Sequence, residues 1–153
     1  MPLIATAAKR AHSQTSPADN RQIRERTRAS VGHHAANPGR IDQRLRELDQ
    51  EWDIERWLEV NSSALSLAGL ALGIFHSRKW LLLPAIVQTF FLQHALQGWC
   101  PPLPLFRKAG VRTKEEIAAE RYALRALRGD FRQVDRESDP AAAADEAFEA
   151  ARP

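Results

Sequence analysis

Two apolar stretches constrain this chain more than any other feature. SSALSLAGLALGIF (62–75) and WLLLPAIVQTFFLQHALQGW (80–99) flank a four-residue break, His76-Ser77-Arg78-Lys79. The rest of the chain is polar and rich in charge. The pattern is that of a small membrane hairpin with soluble arms. The expected fold class is therefore all-α: a transmembrane helical hairpin with flanking amphipathic helices and disordered termini.

The two stretches differ in reach. Residues 62–75 would extend about 21 Å as a helix, short of a hydrocarbon core of roughly 30 Å. They span only if Asn61, Ser62, His76 and Ser77 enter the interface or the bilayer thins. The second stretch has 20 residues and is long enough to cross. Pro84 sits early in it, where a missing N–H matters least. Trp80 and Trp99 bracket it as interfacial anchors would.

Each stretch carries a feature that asks for a partner. Gly69 and Gly73 are four apart, with Ala64 and Ala68 nearby, and such a face permits close helix approach in lipid. Residues 80–99 are the first candidate to fill it. Thr89, Gln93 and Gln97 form a polar stripe on the second stretch, accompanied by Gln88 and His94. An unpaired amide in hydrocarbon costs several kcal/mol, so the stripe is expected to face a partner helix or another subunit. Self-association or a membrane-protein partner follows as an expectation.

The flanks divide into blocks of alternating charge. Residues 1–40 hold seven basic and two acidic residues, with Pro17, Gly32, Pro38 and Gly39 and few large apolar side chains. That composition predicts a disordered basic arm, with RQIRERTR (21–28) a candidate short helix. Residues 41–60 read as one amphipathic helix, with Ile41, Leu45, Leu48 and Trp52 on one face. Trp52 and Trp57 suit either a bilayer interface or the core of a bundle. Residues 61–106 form the two-helix membrane unit, closed by the proline-rich exit WCPPLPLF (99–106). Residues 107–136 predict a basic helix opened by a capping box at Thr113–Glu116 and stopped at Gly129. Residues 137–153 are Ala-rich and acidic, and are expected to be disordered.

Charge and composition narrow the function. The net charge is +3, with 18 Arg and 4 Lys, and the basic residues suit solvated arms or anionic lipid contacts. No zinc-finger, helix-turn-helix or RNA-binding signature is present, so nucleic acid is not an expected partner. MPLIATAAKR lacks the apolar segment of a secretory signal, so insertion would be driven by the hairpin itself. Near the ends of the apolar unit, Arg46, Arg56, Arg107, Lys108, Arg112 and Lys114 outnumber Arg78 and Lys79 at the break. That places both termini in the cytoplasm.

Residues 61–110 resemble a small bacterial two-helix membrane domain of unknown function, which also occurs fused to rhodanese domains. The element that carries the likeness is Gly98-Trp99-Cys100-Pro101, followed by Leu103-Pro104-Leu105-Phe106. The resemblance implies a helical protein of the bacterial inner membrane, often dimeric. This chain has no rhodanese domain, so sulfur transfer is not implied.

No catalytic constellation is visible, and no enzyme activity, cofactor or small-molecule substrate is expected. Cys100, the single cysteine, is a candidate for acylation, redox chemistry or a cross-dimer disulfide, but no base is obvious beside it. His94 lies six residues back, about 9 Å along a helix. His76 and His94 sit too far apart to share a haem within one protomer, although paired His94 residues in a dimer could. His33 and His34 lack nearby carboxylates and make a poor metal site. Asp49, Glu51, Asp53, Glu55 and Glu59 read as solvated side chains. The functional candidates are thus Cys100, His94, Gln93, Gln97, Gly69, Gly73 and Trp99. The principal reading is a structural or docking protein of the membrane. A soluble or peripheral helical interaction module is one alternative, and a thiol-dependent membrane protein acting through Cys100 is another.

Overall fold

The computed structural model describes residues 10–132, 134 and 140–151, and all regular structure among them is helical. The helices are α1 (Arg10–Ser13), α2 (Pro17–Ala36), α3 (Ile41–Gln50), α4 (Ile54–Phe75), α5 (Leu82–Gln97), α6 (Leu103–Lys108), α7 (Lys114–Arg128) and α8 (Pro140–Ala151). Single 3-10 turns, Pro38–Arg40 and Arg78–Leu81, precede α3 and α5. The chain divides into two compact units, residues 1–26 with 51–117 and residues 27–50 with 118–153.

Three expected boundaries are corrected. The arm 1–40 is helical over Arg10–Ser13 and Pro17–Ala36; residues 1–9 lie outside the described residues. Ser16 starts α2. Its Oγ accepts from the Asp19 amide at 3.1 Å and donates to the Asp19 carboxylate at 2.7 Å. Pro17 occupies the first helical position, where its missing N–H costs nothing. The tail is likewise helical over Pro140–Ala151, while 137–139 and 152–153 lie outside the described residues. The single helix expected over 41–60 is two, because Asp53 opens a new one. Its backbone is extended and its carboxylate accepts from the Arg56 amide at 2.8 Å, a competing start signal stronger than the apolar period.

The lengths of the apolar helices also differ from expectation. α4 runs 22 residues, about 33 Å. α5 is 16 residues, about 24 Å, because Arg78–Leu81 are wound as a 3-10 turn. Among the described residues one helical run, Pro38–Phe75, is long and apolar enough to cross a membrane, and 28% of its apolar window is buried. That run is interrupted at residues 51–53, so its apolar part is α4.

In the first unit α4 and α5 lie antiparallel, as the pairs Ser66–Gln88, Gly69–Pro84 and Gly73–Leu81 show. The buried face of α4 is Ile54, Leu58, Ser62, Ser66, Gly69 and Gly73. Ala11, Ile54, Leu58, Cys100 and Leu103 form the apolar core at the end of the pair away from the 76–79 break, with Phe91, Phe106 and Val111 packed against it. Beside it, the fully buried Arg107 uses all five N–H donors. Nε reaches Thr15 Oγ1, Nη1 reaches the Val111 carbonyl and Glu116, and Nη2 reaches Asn20 Oδ1 and Glu116, all within 3.0 Å. The bidentate pair with Glu116 ties α6 to α7, and the bonds to Thr15 and Asn20 add the α1–α2 turn and α2. Arg112 grips Glu51 in the same way, at 2.7 and 2.5 Å. Arg107 and Arg112 are therefore committed to buried ion pairs, which removes them from the charge count that favoured cytoplasmic termini. Arg56, Lys108 and Lys114 stay exposed.

In the second unit Ile41, Leu48 and Leu124 are buried around another paired charge. Glu120 is 1% exposed, and accepts from Arg44 Nε at 2.9 Å, Arg44 Nη2 at 3.2 Å and Ser30 Oγ at 2.5 Å. Its intrusion on the apolar stripe of α7 is thus a buried charge with its partners supplied. Arg121 binds Asp49 at 2.8 Å, and Arg128 binds Asp42 at 2.6 Å. Asp130 sits between Arg128 and Arg125. The Arg128 hydrogen bond, against a smaller opposing effect of burial, holds its carboxyl down at about 2. The capping box expected at the start of α7 is present, with the Thr113 amide donating to Glu116 and the Glu116 amide to Thr113 Oγ1.

Candidate functional site

The α4–α5 pair has its large and small residues in inverted places. From Ser66 to Gly73, toward the 76–79 break, what faces α5 from α4 is small or polar. A Cβ on Gly69 would stand 2.5 Å from Pro84 Cδ and 3.1 Å from Leu83 Cβ. One on Gly73 would overlap the Leu81 side chain. Gln88 Nε2 donates to Ser66 Oγ at 2.8 Å. The bulky residues Leu67, Leu70, Leu72, Ile74 and Phe75 of α4 are exposed instead. Across the pair, so are Trp80, Leu82, Ile86, Leu92 and Leu96. Ala64 and Ala68, expected beside the glycine face, are on the exposed side.

The polar stripe of α5 does not face α4. Thr89 donates to the Ala85 carbonyl of its own helix, and Gln97 is exposed. Gln93 is half-buried. Gln88, one position off the stripe, makes the contact that the stripe was expected to make, because the glycine and serine face of α4 sets the register. Trp99 is half-buried and meets Phe90 edge-on at 6.5 Å between ring centres.

At the end of the pair away from the 76–79 break, the structure gathers residues that the sequence kept apart. His94 is 1% exposed, and its Nε2 lies 2.9 Å from Glu55 Oε2. Arg10 holds the other oxygen of Glu55, Nη2 at 3.3 Å from Oε1, and also donates to the Ala95 carbonyl. Among the described residues the buried His94 Nδ1 has no hydrogen-bond partner.

Gly98 makes this possible. It takes the left-handed conformation, φ 81°, and caps α5 through its amide to the His94 carbonyl at 2.7 Å. The chain then turns back at once, which buries Cys100 in the apolar core with Ile54, Leu58 and Leu103. A side chain at Gly98 would meet the Arg10 backbone at 2.6 Å. Glu55, read from sequence as a solvated carboxylate, is thereby the partner of His94. Antiparallel pairing about the break at 76–79 brings residue 55 within about two turns of residue 94, and that was the available signal.

Cys100 also lines an apolar cavity of about 190 Å³ between the two helices, walled by Leu58, Ser62, Leu65, Val87, Phe90 and Phe91 among others. A second, more open depression shares Ile86 and Phe90 with it. Among the described residues no group of three His, Cys, Asp or Glu has the geometry to hold a metal ion. Trp52, Trp57 and Phe106 form a separate aromatic row, with ring centres 5.2 and 5.8 Å apart and the Arg56 guanidinium 4.3 Å above Trp52.

No protein family matches the chain, and no curated protein or solved structure is significantly similar to it.

Proposed function

We propose that this chain is a helical interaction module whose α4–α5 pair is embedded in a membrane while its ion-paired helices stay in water. What stands without the membrane is a set of helices held by close packing and buried ion pairs, the organisation of a structural or docking protein. The inverted arrangement of α4 and α5 supports the membrane part. In water, large aliphatic side chains are driven between helices. In lipid that drive is absent, and small residues with interhelical hydrogen bonds join the helices while large ones face the acyl chains. The buried Ser62, Ser66, Gly69 and Gly73 and the exposed Leu67, Ile74 and Phe75 follow the second pattern. The exposed Arg78 and Lys79 sit at the tip, beside Trp80. The resemblance of residues 61–110 to a two-helix bacterial membrane domain favours the inner membrane, and the exposed Arg56, Lys108 and Lys114 favour contact with anionic lipid. Gln93 and Gln97 are the residues best placed for a second copy or a partner helix.

A second reading has its own support. α5 is about 24 Å long, less than the hydrocarbon thickness. On that reading the chain is a soluble or peripheral module whose exposed apolar face is covered by a partner protein. Fractionation of bacterial cells expressing the chain separates the two. The membrane reading predicts sedimentation with membranes that survives a high-salt wash. Recovery in the soluble fraction, bound to another protein, would favour the module.

A further inference from the structure

Between the close glycine contacts near the break and the apolar core at the other end, α4 and α5 do not close on each other. They leave the cavity of about 190 Å³, walled by Leu58 and Leu65 of α4 and Val87 and Phe91 of α5, with Cys100 and Pro101 beneath. Leu65, Ile86 and Phe90 line it and are exposed, so it opens between them. The fixed dihedrals of Pro101 and Pro102 and the left-handed turn at Gly98 hold its floor in place. The space is therefore a built feature of the fold.

The lining restricts what can fill it. Besides the thiol, Asn61 and Ser62 are its polar side chains. Ser62 is committed, its Oγ donating to the Glu59 carbonyl at 3.1 Å. The half-buried Asn61 side chain has no hydrogen-bond partner among the described residues. Ordered water needs two to four polar partners, so a single free side chain favours an apolar occupant over water. An apolar cavity of about 150 Å³ takes up benzene, so this one has room for about eight carbon atoms. A helix, about 10 Å across, does not fit. No cationic side chain is in the lining, and a carboxylate or phosphate drawn inside would lose its hydration without a counter-charge. An ester carbonyl needs one donor, and the Asn61 amide supplies it. A longer chain runs out over Ala85 and Thr89, in the shallower depression beside Ile86 and Phe90.

We infer that this cavity is a binding site for one alkyl chain of an uncharged acyl ester, with the ester carbonyl accepting from Asn61. The chain lies between α4 and α5 and is held without a covalent bond. A free acylglycerol and a membrane glycerolipid both offer this chemistry. The cavity belongs to the folded chain itself, so the inference goes beyond the membrane reading and does not rest on it. Cys100, 3% exposed and on the cavity floor, is a built-in reporter, because an occupant shields it from reagents that enter through the mouth.

The test uses the purified full-length chain in a steroid-based detergent, which has no alkyl chain to compete. Alkylation of Cys100 by N-ethylmaleimide is followed by intact mass, with monooctanoylglycerol or octanoate present. The expected result is that saturating monooctanoylglycerol slows alkylation at least about tenfold, whereas octanoate at the same concentration and the ester on urea-unfolded chain leave the rate unchanged. Native mass spectrometry, which does not depend on the thiol, should show one ester bound per chain. Val87→Phe, which puts a ring into the cavity and whose fold is checked by circular dichroism, should bind none. Asn61→Ala should weaken binding about 2–10-fold. Dioctanoyl phosphatidylglycerol distinguishes the sources: protection by it as well assigns the site to a membrane glycerolipid, and protection by the monoacyl ester alone assigns it to a free acylglycerol. The inference is overturned if the folded chain neither binds the ester nor is protected by it. It is equally overturned if octanoate protects as well, if unfolded chain is protected alike, or if folded Val87→Phe binds as the native chain does.

Discussion

Gln88 donates its side-chain amide to Ser66 Oγ across 2.8 Å, joining two helices whose leucines and isoleucines largely face away from each other. In lipid such a bond is worth roughly 0.6–2 kcal/mol. A double-mutant cycle with Ser66→Ala and Gln88→Leu should return a coupling of that order in detergent-solubilised protein. Additive single effects would show that the two side chains do not share an interaction in the folded chain.

Alanine substitutions at two glycines should change stability in opposite directions. Gly69→Ala puts a methyl 2.5 Å from Pro84 Cδ, and the proline ring has no flexible end with which to yield. Overpacking of this kind costs about 1–3 kcal/mol. Gly32 lies within α2, and a methyl added there would have nothing within 4 Å of it. Gly32→Ala should therefore add up to about 1 kcal/mol through helix propensity. Chemical unfolding followed by circular dichroism reads both.

Arg107 holds the α1–α2 turn, α2, α6 and α7 through five donors. Arg107→Met leaves Glu116 without its counter-ion and should destabilise the fold by about 3–5 kcal/mol. Arg107→Lys should rescue little, because an ammonium cannot reproduce the bidentate fork. The double variant Arg107→Met with Glu116→Gln should be more stable than Arg107→Met alone. Denaturant midpoints of the three variants decide the point.

Acid should weaken the fold. Burial pushes the Glu116 carboxyl up, but the hydrogen bonds from Arg107 and the Thr113 amide outweigh it and hold it below its ordinary 4.5. Asp130, ordinarily 3.8, is held at about 2 chiefly by Arg128. Carboxyls that titrate lower in the folded than in the unfolded chain contribute their full stability above the unfolded values. That stability is lost as pH falls toward the folded ones. Unfolding free energy should therefore be level near neutrality and decline below about pH 4.5. Glu116→Gln should make the decline shallower.

Local signals made part of this architecture legible in sequence. The capping box at Thr113 and the stop at Gly129 depend on neighbours a few residues apart, and each appears where the pattern placed it. The helix over 17–36 was also signalled locally, by Ser16, Pro17 and Asp19, but the polar composition of the arm obscured it. Its order comes from contacts remote in sequence, such as Arg107 to Asn20 and Glu120 to Ser30. The Glu55–His94 contact was hidden for the same reason. Glu55 and His94 are 39 residues apart, and only the antiparallel packing of α4 on α5 brings them together.

Whether α4 and α5 sit in lipid is decided by alkaline carbonate extraction of membranes from cells expressing the full chain. High pH strips proteins held by charge or by partner proteins, whereas hydrophobic embedding survives it. Retention of the chain in the pellet is the predicted result, with release on Leu67→Arg combined with Ile74→Arg, two substitutions on the exposed face of α4. Quantitative release of the unaltered chain into the supernatant would contradict membrane embedding.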